Sequence, residues 1–578
     1  MKFFSFSILY FYNPMSSVAT KQTEPEIMTV TPGAKKIFQA MYLEQQPKAD
    51  DDTVVRLQVS DLISKMSFYY EKIRNAVHYS EDHLLRKDAI FRILKRQLVI
   101  EGSVRLVRSE DSRTLAQHLL IELIRASYLP NNTLPESKID EVANIIVKYT
   151  TLRDIVLSET VSQFNFFAQK NKKKSNIENR TEMTNWLMGL AAAEIEEHIG
   201  FNQVTRTVVL VMYRMLEKRI ELPDSLPYDQ DLPIQIYVAI YRNLLKFDDD
   251  MLSLILFRYF NSDWETVSQV SLKKIALQLP TLKRVIEEQL VHPLSAQLNK
   301  IVSTYTVYFK ILEDVVREDP VGIYESFSED PKMFDRKIKM ACNRRYSKAR
   351  NTLWRAAWRS IIYILLTKSI FVVLLEVPAT QFFGETINLL SLGINITFPA
   401  VLIFLSIIFI RLPGEENTKR IITGIEEIVF NEKKRSPINL RKPRARHRVM
   451  NVIFTLIYTI TFFISFGLTI WFLEIIHFSW VSVIIFLFFL AFASFFIIRI
   501  RRTAKEWIVV DARENIIGFL VDFFSVPIVA TGKWLSGKFA RLNVFAFILD
   551  FIIEAPFKIL VEIAEQWTRY VRERKDEL

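Results

Sequence analysis

From residue 360 onward the chain carries four long runs in which nearly every position is apolar. They are 360–377 (SIIYILLTKSIFVVLLEV), 387–410 (INLLSLGINITFPAVLIFLSIIFI), 449–473 (VMNVIFTLIYTITFFISFGLTIWFL) and 481–498 (VSVIIFLFFLAFASFFII). An α-helix rises about 1.5 Å per residue, so about 20 residues cross a hydrocarbon core of about 30 Å. The second and third runs are ample; the first and fourth are at the short end. The pattern predicts four transmembrane helices within 360–502.

Ahead of them, from 54 to 343, apolar positions recur at helical spacing. "VSDLISKMSFYYEKIRNAVHY" places Leu62, Ile63, Met66, Tyr69, Tyr70 and Ile73 on one face. "SEDHLLRKDAIFRILKRQLVIE" reads as a second helix with Ser80 as its N-cap. Similar stretches follow, separated by "LPNNTLPES", "KNKKKSN" and "LPDSLPYDQDLP". No strand alternation persists and no fixed repeat emerges, so the expected class is all-α with an irregular helical N-terminal domain. Residues 1–53 read as a tail. Its first 14 residues (MKFFSFSILYFYNP) are signal-like, which leaves three readings: a start at Met15, an interfacial anchor, or a cleaved leader.

The region 503–578 is apolar but interrupted. Asp550, Glu554, Lys558 and Glu562 recur every four residues and so share one helical face. Amphipathic helices lying on the membrane surface are the expectation here. A hairpin dipping into the bilayer, turning at Gly532–Trp534 and Gly537–Lys538, is the competing one.

Charge gives the orientation. Arg344, Arg345, Lys348, Arg350, Arg355 and Arg359 precede the first run, and the link 411–448 is crowded with Lys and Arg. Arg499, Arg501, Arg502 and Lys505 follow the fourth run, while the other two links carry no Lys or Arg. The positive-inside rule then puts both termini, the N-terminal domain and the basic loop 411–448 in the cytoplasm. The terminal Lys575-Asp576-Glu577-Leu578 spells a lumenal retrieval address, but a cytoplasmic tail is not readable by a lumenal receptor, so it is taken as coincidental. Residues 344–359 read as a juxtamembrane helix, with Trp354 and Trp358 at the interface and Arg344, Arg345, Arg355 and Arg359 near anionic headgroups.

Composition narrows the chemistry. The 578 residues are 50% hydrophobic and 24% charged, which fits a soluble part joined to a membrane part. Thirteen Gly argue against a Gly-rich nucleotide fold, and one Cys excludes an intrachain disulfide or a Cys-rich metal site. The net charge of +11 gathers beside the spans, which favours a membrane surface and argues against nucleic acid as a partner.

Three segments carry a resemblance. "YYEKIRNAVHYSEDHLLRKDAIFRILKRQL", "RLPGEEN" and "FLVDFFSVPIV…GKWLSGKF…NVFAFILDFIIEAPFK" resemble a family of uncharacterised bacterial polytopic membrane proteins, over most of the chain beyond about residue 55. The resemblance implies a bacterial cytoplasmic membrane and no activity.

No phosphate-binding, dinucleotide, zincin or nucleophile-elbow motif is present, and no catalytic residue, cofactor or metal site is assigned. Glu194, Glu197 and His198 read as a solvated acidic face, and Cys342 among bases as a weak thiol candidate. The sharpest feature is intramembrane. Lys368 lies mid-run, Glu376 is eight residues on, and Asn388, Asn395 and Thr397 occupy the next run. A charge there costs about 3 kcal/mol unless it finds a partner. Two functions follow. One is a non-enzymatic membrane-anchored scaffold, self-associating or binding proteins through the helical domain. The alternative is a transporter or channel component with Lys368 and Glu376 near its pathway.

Overall fold

A computed structural model of the chain describes residues 30–46, 55–59, 81–101, 109–167, 173–200, 202–329, 331–385, 388–410, 413–430, 437–442, 448–510 and 516–541, with the single positions 563, 567 and 570. The signal-like start, the stretch 60–80 with Ser80, the acidic-basic stripe 550–562 and the terminal KDEL lie outside the described residues.

The described residues are almost entirely helical, as expected. The N-terminal part comprises α1 (Pro32–Gln45), α2 (Asp82–Lys95), α3 (Ser109–Arg125), α4 (Ser137–Phe167), α5 (Lys173–Gly200) and α6 (Gln203–Glu217). It continues with α7 (Leu232–Leu244), α8 (Asp249–Phe260), α9 (Gln269–Leu290), α10 (Ser295–Glu318) and α11 (Pro320–Glu329). Local chemistry starts several of them. Asn202, Asp248 and Ser268 each accept a backbone N–H from the first turn of α6, α8 and α9. Between α8 and α9 a short turn buries Trp264.

α12 (Pro331–Phe371) is 41 residues long and runs without a break from the helical domain into the first apolar run. The expected separate juxtamembrane helix 344–359 is therefore part of one rod. A π-helical turn, Val372–Glu376, follows, then α13 (Val377–Phe382). The remaining helices are α14 (Leu389–Ile408), α15 (Glu415–Val429), α16 (Arg448–Ile475), α17 (Trp480–Lys505) and α18 (Ile516–Arg541). α12, α14 and α17 pack on one another; α18 packs along α17, and α16 mainly against α18.

Three segments differ from expectation. The tail contains α1, whose N-cap Thr31 binds the end of α15 through N–H to Val429 O (2.7 Å) and Oγ1 to Ile428 O (2.8 Å). The basic loop 411–448 is also built into the domain. Ile421, Ile425, Ile428 and Val429 of α15 are buried in the core that holds α1 to α11. Its strand β2 (Ile438–Asn439) pairs in parallel with β1 (Ile220–Glu221). Thirdly, where four apolar helices were expected, five are long and apolar enough to cross a membrane, the additional one within Gly518–Ser536. α18 runs straight through Gly532 and Gly537, so the turn expected there does not form. It lies antiparallel to α17: Asp522 faces Arg501 at 3.4 Å near one end, and Gly532 lies against Ala491 farther along. A Cβ on Gly532 would stand 2.0 Å from the Ala491 carbonyl oxygen, so only glycine permits this approach.

Candidate functional site: a polar cluster between apolar helices

Eight residues of α-helix exceed two turns, 7.2 residues, by almost a quarter turn. The π-helical turn between Lys368 and Glu376 absorbs one residue, which returns the two side chains to one face about two turns apart. Both are 0% exposed, as is Asn395 of α14. Asn395 Nδ2 donates to Glu376 Oε1 at 2.6 Å and lies 3.5 Å from the Ser482 carbonyl of α17. Lys368 Nζ reaches the Ile485 carbonyl of α17 at 3.4 Å and sits over the Phe489 ring, 4.1 Å from its centroid. No ion pair within 4 Å joins Lys368 to Glu376. Glu376 Oε2 and Asn395 Oδ1 are buried acceptors without a hydrogen-bond partner.

One helical turn toward the α13–α14 connection, Thr380, Asn388, Ser391, Ser479 and Ser482 give polar walls to a cavity of about 10 Å³. That is about the room one water needs. Thr380 Oγ1 donates to the Glu376 carbonyl at 2.7 Å.

The expected constellation is thus partly assembled. Lys368, Glu376 and Asn395 converge. Asn388 serves instead as the N-cap of α14, its Oδ1 accepting from the Leu390 and Ser391 amides. Thr397 is exposed and bonds its own helix at the Gly393 carbonyl. Pro399 sits within a continuous α14.

The juxtamembrane residues divide. Arg345 donates twice to Asp314 and stacks on Trp507, 4.9 Å from its centroid, while Arg344 pairs with Glu318. Their charges are taken up by the domain. Trp354 and Trp358 both face Phe404 of α14 at ring distances of 6.2 and 6.5 Å. Trp358, Arg355 and Arg359 are exposed.

A second polar cluster lies in the helical domain and corrects the solvated acidic face. Glu194 is buried. It accepts from Lys148 Nζ (2.8 Å), Tyr149 OH (2.7 Å) and Trp264 Nε1 (2.7 Å). Burial pushes its carboxyl up, but Arg258 and Lys148 outweigh this and hold it below the usual range. Glu197 pairs with Arg258 at 2.5 Å, and only His198 of the three is exposed. Two neighbours escaped the sequence. Glu196 is fully buried against Arg86 (2.6 Å), its carboxyl pushed up by burial in spite of that partner. Lys87 is buried between Asp248 (2.5 Å) and Asp250 (2.8 Å). The available signal was position: Lys87 falls in the apolar row with Ile90 and Leu94, and Glu196 in the row of Gly189 and Ala193. Because the Glu194 carboxylate has donors on both oxygens, this network reads as structural. Cys342 is fully buried, and a nucleophile must be reachable.

Comparison with known proteins adds no relative: no family model, curated protein or solved structure matches the chain.

Proposed function

We propose that the protein is a membrane-anchored helical scaffold, with its N-terminal domain on the cytoplasmic face of a bacterial membrane. One observation carries this reading. A single hydrophobic core includes residues from α1 to α11, the first half of α12, α15 between the second and third apolar helices, and Trp507 after the fourth. All three stretches therefore lie on one side of the bilayer, the side the basic residues also select. The attachment is stiff. Trp507 is flanked by Arg345 and Lys310, and Asn417 of α15 binds both the Trp507 carbonyl (2.8 Å) and the Val509 amide (2.7 Å). Glu506 is half-buried beside Lys246 and Lys310, which overcome desolvation and keep its carboxyl below the usual range. Such joints hold a surface at fixed height over the membrane, available to protein partners or a second copy. The exposure of Arg355, Arg359 and Trp358 supports contact with anionic headgroups.

The Lys368–Glu376–Asn395 cluster favours a second reading, a transport component, since buried intramembrane ionisable groups mark solute paths. The two separate on one measurement. Solute and ion flux is followed in liposomes carrying the wild type or Lys368→Leu. No flux from either supports the scaffold; flux that is lost in the variant supports transport.

A further inference from the structure

We propose that Glu376 and Asn395 form a proton-binding site inside the membrane layer, loaded from the face opposite the helical domain. Two oxygens of this pair are unfilled. Glu376 Oε1 already accepts from Asn395 Nδ2, yet Glu376 Oε2 and Asn395 Oδ1 are buried with no donor. A buried acceptor left without a donor keeps the full cost of its lost hydration. A single proton on Oε2 removes both deficits, because the acid O–H then donates to the amide oxygen while the amide N–H₂ donates to the acid carbonyl. A carboxylic acid and a primary amide pair in this two-bond ring by their donor and acceptor patterns.

No described side chain donates to Glu376 Oε2. Lys368 shares this face, but its Nζ lies against the Ile485 carbonyl and the Phe489 ring and is not within 4 Å of the Glu376 carboxyl. From α14 the packing contributes Asn395 and Ser391. From α17 it contributes the Ser482 and Ile485 carbonyls, none of them titratable. Among the described residues, Glu385, Glu474 and His477 are titratable groups at that end of the bundle, and Lys533 of α18 is exposed along α17. The cavity walled by Thr380, Ser391, Ser479 and Ser482 begins one turn above the pair and has space for one water. A hydronium arriving from that side gives its proton to Glu376 Oε2 and leaves as water; on release the O–H bond breaks and the proton returns to water.

This inference does not depend on the scaffold reading, since a proton can be bound without solute moving. The test is infrared difference spectroscopy of the full-length protein in liposomes, acidified on the side opposite the helical domain. The wild type should show a protonated carboxyl stretch that is absent in Glu376→Gln and displaced in frequency in Asn395→Leu. Glu376→Gln retains the acceptor for Asn395 and supplies a donor in place of the acid proton, so it should fold; circular dichroism and the thermal midpoint verify this. Identical spectra in wild type and Glu376→Gln overturn the proposal. So does a signal that tracks sodium concentration at constant pH, which would assign the two oxygens to a metal cation.

Discussion

Charged side chains in this molecule divide by what completes them. Glu194 is ionised in a buried setting because Lys148, Tyr149, Trp264 and Arg258 surround it. Removing one partner of such a set typically costs about 3–5 kcal/mol. Glu194→Gln should therefore lower the unfolding free energy by about that amount at neutral pH, measured by denaturant titration of the full-length protein in detergent. The sign with pH follows from linkage. The folded-state pKa lies below the unfolded value, so the carboxylate's contribution is fully present above about pH 4.3 and is lost as pH falls through the folded value. The gap between wild type and variant should close on that acid limb; a gap unchanged with pH would mean the charge is not what matters. Helical periodicity already hinted at this cluster, because a Lys or Glu in an apolar row must be paired or exposed. What periodicity lacks is the partner's identity: Lys87 and Asp250 are brought together only when α2 and α8 pack against α5.

At the level of elements, the π-helical turn at Val372–Glu376 does the aligning. It behaves as an α-helix with one residue inserted. Deleting Val373 should convert it to regular α-helix with Lys368 and the glutamate still about two turns apart, so the protein should fold with little change in thermal midpoint. Deleting Ile362, within regular helix, turns every later side chain by about 100° and should abolish assembly. Equal damage from both deletions would refute this account of the turn. The individual apolar helices were legible, with ends within a few residues of the observed α14, α16 and α17, because an unbroken apolar stretch has few other ways to satisfy its backbone. α18 was not, since Asp522, Lys533 and two glycines resemble the marks of a surface helix. Only the contact of Gly532 with Ala491 shows why a glycine is needed there.

For the molecule as a whole, the shared core yields a topology that labelling can check. Single cysteines at Glu385 and His477 should react with an impermeant reagent from the face opposite the helical domain, and one at Lys442 from the domain's own face. One at Gly537 should report the opposite face if α18 crosses fully. Labelling of Lys442 and Glu385 from the same side would break the proposed arrangement.

Sequence alone determined that the chain is helical, that it carries spans long enough for a bilayer, and which links are cationic. These properties reside in single segments and are set by local hydrophobicity and charge. Tertiary packing decided the rest. It drew α1, α15 and Trp507 into one core, brought Glu376 to Asn395 and left two oxygens unfilled between them, because contacts between residues far apart in the chain exist only once helices have chosen their neighbours.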